Sequence, residues 1–130
     1  MVNDSDVIPP SEPTGSGAER AEWLAVPEIM ELTGASLAEV KTWLQDRDII
    51  GARRGPNRAV YVPALFLTEE GPLHSLRGTI TVLADGGYRD EDIIEWLLAD
   101  DESLSDGSAI ASLRAGHKTE IRRRAQEMAL

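Results

Sequence analysis

The chain has 130 residues, 42% of them hydrophobic, with a formal net charge of -10 and no cysteine. This excludes disulfides, thiolate metal sites and cysteine nucleophiles, and no apolar run approaches the roughly 18 residues of a membrane span. The opening MVNDSDVIPP is acidic where a secretory signal is basic, so the expectation is a soluble cytoplasmic protein of one compact domain, or of two small units sharing a core.

Aromatic residues make up only 5% of the sequence, so the core must rest on Leu, Ile, Val and Ala, as in helical proteins. The charge is sorted along the chain: net -4 over residues 1–22, zero over 23–63 and -6 over 64–130. Within the neutral block the acids Glu28, Glu31 and Glu39 come early, and Arg47, Arg53, Arg54 and Arg58 come late. A local basic footprint therefore survives inside an acidic protein.

Residues 1–22 place prolines and glycines among Ser, Thr, Asp and Glu with almost nothing to bury, and are expected to form a disordered acidic tail. From Trp23 the chain turns apolar. Pro27 suits a helix start, and Ile29, Met30 and Leu32 give a short helix that Gly34 stops. Ser36-Leu37-Ala38-Glu39 spells a capping box. The helix it opens carries Leu37, Val40, Trp43 and Leu44 on one face and leaves Ser36, Glu39, Lys41, Thr42 and Gln45 on others. Two helices joined through a glycine turn form a helix-turn-helix with the second in the reading position.

Ile49–Ala52 and Ala59–Val62 flank the turn-forming Gly55-Pro56-Asn57, which predicts a β-hairpin with Arg53, Arg54 and Arg58 at its tip. A linker-like stretch from Ala64 to Pro72 follows, with its own apolar patch Leu65-Phe66-Leu67. Leu76, Ile80 and Leu83 mark a helix ended by Gly86-Gly87. Asp90-Glu91-Asp92 open the next, whose buried face is Ile93, Ile94, Leu97 and Leu98. After an acidic loop at 100–107, a last helix is expected from about Ser108 to the end, with Ile110, Leu113, His117, Ile121 and Met128 along one stripe.

Residues 23–67, through Pro27-Glu28-Ile29, Leu32-Thr33-Gly34, Trp43-Leu44, Ile49-Ile50, the arginine-bearing hairpin and Val62-Pro63, resemble the excisionase and MerR type of winged helix-turn-helix domain. GGYRDEDIIEWLLADDESL and the closing IRRRAQEMAL are similar to the C-terminal domain of a small actinobacterial family of kinase-regulated winged-helix DNA-binding proteins. The resemblance implies a mainly α fold with a small hairpin wing: a winged helix-turn-helix at 23–67 packed on a helical domain at 68–130, behind a flexible tail at 1–22. It also implies a transcriptional regulator or nucleoid-associated factor whose partners are double-stranded DNA and a serine/threonine protein kinase.

The residues expected to meet DNA are Arg53, Arg54, Arg58 and Asn57 of the wing, Ser36, Lys41, Thr42 and Gln45 of the second helix, and Arg47. Guanidinium pairs with phosphate through parallel hydrogen bonds, and the polar helix residues suit phosphates or base edges. The plainer reading of the wing arginines is a solvated hairpin protecting its strand edges. Thr14, Ser11, Ser16 and Ser5 are the candidate phosphorylation sites. Arg122-Arg123-Arg124 reads either as a second phosphate cluster or as arginines pairing with nearby acids.

No catalytic residue, metal ligand or cofactor is expected. The acids at 100–107 miss the spacing of a calcium loop, and the P-loop, G-x-S-x-G and H-E-x-x-H patterns are absent. His117 reads as a histidine with one carbonyl partner at a seam, and His74 has no partner motif. The competing reading is a protein-interaction module, a winged helix without DNA binding that holds an acidic partner; a second helix with only Lys41 as a cation favours it. A monomer is expected, with a dimer left open.

Overall fold

A computed structural model describes residues 17–130; Ser5, Ser11, Thr14 and Ser16 lie outside the described residues. Of the expected tail, residues 17–22 are ordered. Gly17–Arg20 form a short helix, α1, and Ala18 and Ala21 pack on the core. A Cβ added at Gly17 would fall 2.0 Å from the Leu98 carbonyl oxygen, so only glycine allows α1 to approach this closely. Tail composition hid this contact because the apolar surface that α1 meets belongs to a helix almost eighty residues later.

Trp23–Ala25 is a strand, β1, rather than a mere apolar lead-in. Helices α2 (Val26–Thr33) and α3 (Leu37–Gln45) follow. Gly34 ends α2 at φ 76°, in the left-handed region that glycine adopts freely. The capping box at α3 is formed: the Ser36 hydroxyl accepts from the Glu39 amide at 3.1 Å and Glu39 Oε1 accepts from the Ser36 amide at 2.8 Å. On the apolar face of α3, Val40 is fully buried, but Leu37 is 46% exposed. The helix packs on α2 from one side, and the end of its stripe projects past that contact.

The hairpin strands are β2 (Ala52–Arg54) and β3 (Ala59–Pro63), so β2 begins three residues later than the expected Ile49. Both Ile49 and Ile50 are buried. Alternating strand geometry would turn one of them outward, and the chain instead leaves α3 irregularly, with Arg47 at φ 62° and the Asp48 amide donating to the Trp43 carbonyl at 2.9 Å. The sheet order is β1–β3–β2, antiparallel throughout, with Leu24 opposite Val62 and Arg53 opposite Val60.

The expected linker at 64–72 is structured. Ala64–Phe66 form a 3₁₀ turn, and β4 (Leu67–Thr68) pairs with β5 (Gly71–Pro72). Phe66 and Leu67 are buried while Leu65 stays exposed. Arg114 donates to the carbonyls of Leu65 at 2.8 Å and Leu67 at 2.9 Å, which fixes this segment against the second half of the chain.

Helices α4 (Leu76–Asp85) and α5 (Asp90–Leu98) bury the side chains their periodicity predicts: Leu76, Ile80 and Leu83, then Ile93, Ile94, Leu97 and Leu98. The single closing helix expected from Ser108 is instead two, α6 (Ala109–Arg114) and α7 (Lys118–Met128). Gly116, at φ 94°, breaks them apart, and the stripe breaks with it: Ile110, Leu113 and Ile121 are buried, Met128 is 42% exposed and His117 lies outside the core. The buried apolar residues from Leu24 to Ala125 form one continuous core. The whole is mainly α with a hairpin wing.

Continuity of the core predicts that residues 1–68 do not fold alone. A fragment ending at Thr68 should lack a sharp thermal transition by circular dichroism or aggregate, and Phe66→Ala in the full chain should cost roughly 3–5 kcal/mol in denaturant unfolding. A soluble 1–68 fragment with a cooperative melt would contradict this.

Candidate nucleic-acid interface

Turn chemistry builds the wing. Gly55 takes φ 78° and Arg58 φ 53°, the Arg58 amide donates to the Gly55 carbonyl at 3.1 Å, and Asn57 Oδ1 accepts from the Ala59 amide at 3.3 Å. Asn57, expected at DNA, thus has a shaping duty in the turn. Arg53 donates to the Arg58 carbonyl at 3.0 Å, which braces the tip from inside. The Arg54 guanidinium lies over the Trp23 ring, 4.4 Å from its centroid. Such a contact is worth about 0.5–1 kcal/mol at an exposed site and restrains a side chain that would otherwise sweep freely.

Trp23 was not among the expected site residues. Its ring reaches Arg54 because β1 joins the wing sheet, and its indole N–H donates to the Ala18 carbonyl at 2.8 Å, so the ring is held from both sides. The sequence shows an apolar residue before Pro27 but gives no sign of the pairing. Arg53, Arg54 and Arg58 are all exposed, and none pairs with a carboxylate among the described residues.

On α3 the exposed polar side chains Lys41, Thr42 and Gln45 share the outer surface, with no hydrogen-bond partner among the described residues. Ser36 is engaged in the capping box, and so is Glu39, whose carboxylate is drawn back to the helix start. The negative charge that the sequence places beside Lys41 is thereby turned toward the positive end of the α3 dipole.

Arg47 departs from the expected DNA contacts. Its guanidinium grips Asp90 at the start of α5 through bonds of 2.6 Å and 3.3 Å. Those hydrogen bonds raise its pKa above the ordinary value against the opposing effect of partial burial. Its charge ties the two halves of the chain together, as does Arg77, 3.4 Å from Asp48.

The basic run of α7 divides. Arg123 pairs with Glu120 and Glu127, and Arg124 with Glu120 and Asp101 while donating to the Ser103 hydroxyl at 2.7 Å. Arg122 takes no acid and lies against Gly78 of α4. His117 has a carboxylate partner rather than the expected carbonyl, with Nδ1 2.9 Å from Asp106 Oδ2. Among the described residues no cluster of three or more His, Asp or Glu side chains is placed to hold a metal ion.

Residues 73–129 match the family described as the Rv2175c C-terminal domain of unknown function. The chain is 36% identical over 136 residues to the DNA-binding protein Rv2175c of Mycobacterium tuberculosis (strain ATCC 25618 / H37Rv), spanning 95% of this chain and 86% of that protein. It is also similar to the NMR structure of Rv2175c, with a TM-score of 0.73 and 32% identity, covering 97% of this chain and 87% of that one.

Two outcomes follow from these ion pairs. Both Arg47 and Asp90 are 40% exposed, so solvent screening limits the value of their pair; Asp90→Asn should lower unfolding free energy by about 0.5–1 kcal/mol. The Ser103 hydroxyl and amide, then Arg124, hold Asp101 below the usual carboxylate range, and Arg124 and Arg123 do the same for Glu120. Depressed folded-state values mean that this stabilisation is present above the unfolded values of about 4 and is lost as pH falls through the folded ones. The melting temperature should fall on acidification below about pH 4.5, and the Asp101→Asn, Glu120→Gln double variant should show a shallower fall; equal slopes would contradict the assignment.

Proposed function

The chain belongs to the Rv2175c family, and on that footing we propose that it binds double-stranded DNA through the outer surface of α3 and the arginine-tipped wing. One observation carries the reading: in a protein of net charge -10, three exposed arginines at 53, 54 and 58 gather on one hairpin without a carboxylate partner among the described residues. An exposed cluster left unneutralised in so acidic a chain is an electrostatic footprint for phosphate. Lys41, Thr42 and Gln45 extend it along α3. The name of the 36% identical relative supports the same reading.

In the excisionase and MerR arrangement that residues 23–67 resemble, α3 enters the major groove and the wing lies along the backbone. Arg58 and Arg53 meet phosphates, and the Trp23 ring pre-orients Arg54, so less side-chain freedom is lost on binding. The acidic remainder of the chain opposes non-specific attachment, which suits a regulator working at chosen sites. A phosphate on Thr14, Ser11, Ser16 or Ser5, outside the described residues, adds about -1.5 to -2 charges near neutral pH and weakens binding by competing for the same arginines.

Fluorescence polarisation on a generic duplex across a salt series tests this. Wild type should bind with a shallow dependence of log K on log salt, about -0.9 for each neutralised phosphate. Changing Arg53, Arg54 and Arg58 together to Glu should abolish binding while the melting temperature stays close to wild type. Thr14→Glu should weaken binding, and a chain starting at Ala21 should bind more tightly. Affinity retained in the triple variant would favour the protein-interaction module instead.

A further inference from the structure

Nearly every cation outside the wing and α3 has a partner. Arg20, Arg47, Arg77, Arg89, Arg123 and Arg124 meet carboxylates, and Arg114 meets two carbonyls. Lys118 and Arg122, one turn apart on α7, have neither among the described residues. Their isolation is unexpected on electrostatic grounds, because residues 64–130 carry a net charge of -6.

The surroundings of Arg122 are specific. Its guanidinium rests on α4 where Gly78 has no side chain; a Cβ there would stand 2.1 Å from Nη2. Its Nε is buried with no acceptor. A buried charged donor left unmet costs more than a neutral one, and in a native protein such an atom calls for a bound water or ion. Beside it opens a cavity of about 260 Å³ lined by Lys118, Thr119, Arg122, Arg123 and Gln126. This is several times the roughly 30 Å³ share of a water molecule. Every lining side chain is a hydrogen-bond donor, and no carboxylate is among them.

Lys118 and Thr119 are also the first residues of α7, and His117 before them makes no side-chain capping bond, so the amides of the first turn are left for another acceptor. The positive end of the helix dipole adds to the two side-chain charges. Arg123 is already held by Glu120 at 3.2 Å and Glu127 at 3.1 Å, so the charge on offer is that of Lys118 and Arg122.

Two unpaired cations, a hydroxyl, an amide and uncapped backbone N–H groups around one small cavity match a doubly charged tetrahedral oxyanion. We propose that the Lys118–Arg122 cavity between α7 and α4 binds a phosphate group. The buried Nε of Arg122 supplies a directed donor, Lys118 closes the open side, and Thr119 and Gln126 fix the remaining oxygens. The phosphate comes either from a small free molecule or from the backbone of a duplex. Arg77, the residue before Gly78, reaches Asp48 just beyond the end of α3, so the cavity adjoins the helix assigned to DNA.

The test is a titration of ¹⁵N-labelled full-length chain with inorganic phosphate, against sodium chloride at matched ionic strength. Wild type should show saturable shifts of the Arg122 Nε–H and of the backbone amides of residues 118–120. Lys118 is exposed, so Lys118→Gln leaves the α4 contact alone and should weaken binding about tenfold or more, while Arg122→Gln should abolish it. The wing triple variant should leave the phosphate titration unchanged, which separates this site from the DNA-binding reading. In a second arm with duplex DNA, movement of the same resonances, and a salt slope about 0.9 shallower in Lys118→Gln, would identify the source as a backbone phosphate. If only inorganic phosphate moves them, the site takes a free phosphate group. Shifts that fail to saturate, that chloride reproduces, or that survive in Lys118→Gln overturn the proposal.

Discussion

The hairpin runs without a linker into an apolar segment that the second half of the chain must cover, and most of the architecture follows from that constraint. Phe66 and Leu67 are buried immediately after Pro63 ends the central strand. Burying them brings the carbonyls of Leu65 and Leu67 close to the core, where an unmet acceptor would be costly. Arg114 meets both, and its charge strengthens each bond. The hydrophobic and polar requirements of one short stretch therefore position α6 against the wing sheet. The Gly71 Cα hydrogens lie where Trp43 of α3 packs, 3.3 Å from a would-be Cβ, so the same small hairpin also supports the reading helix.

Charge pairing then decides which surfaces are available. Arg47 and Arg77 spend their charge inside the molecule, on Asp90 and Asp48, and join the first half to the second. Arg123 and Arg124 are absorbed by the acids of α7 and of the loop before α6. With these removed, uncompensated positive charge collects at the wing and at the Lys118–Arg122 cavity. A low net charge density at one surface patch, rather than the sign of the whole protein, governs what it attracts at short range, since fields of distant acids are screened within about 8 Å at physiological salt.

Within the wing, rigidity has identifiable sources. Arg53 is tied to the Arg58 carbonyl, Asn57 to the Ala59 amide and Arg54 to the Trp23 ring. Trp23 is held in turn by α1 through the Ala18 carbonyl. The segment that leads in from the N-terminus is thus mechanically coupled to the basic tip. On α3 the capping box does a comparable electrostatic task by turning the Glu39 carboxylate back on its own helix start.

Local chemistry settled much of this protein in advance. Gly34, the Ser36–Glu39 box, the Gly55-Pro56-Asn57 turn, the acids opening α5 and the helical periodicity of Leu76, Ile80, Ile93 and Leu97 all act within a few residues, so the sequence displays them directly. The exposed wing arginines were legible for the same reason. Four other features depended on partners far along the chain: α1 on the Leu98 carbonyl, β1 on β3, Arg47 on Asp90, and the division of Arg122 from Arg123 and Arg124. No local pattern encodes these, because a strand edge, a buried carbonyl or a distant carboxylate becomes a neighbour only when the core closes. The sequence by itself determined which elements form and where positive charge is concentrated. Tertiary packing decided which of those charges remain unpaired, since that depends on which acids folding brings within reach.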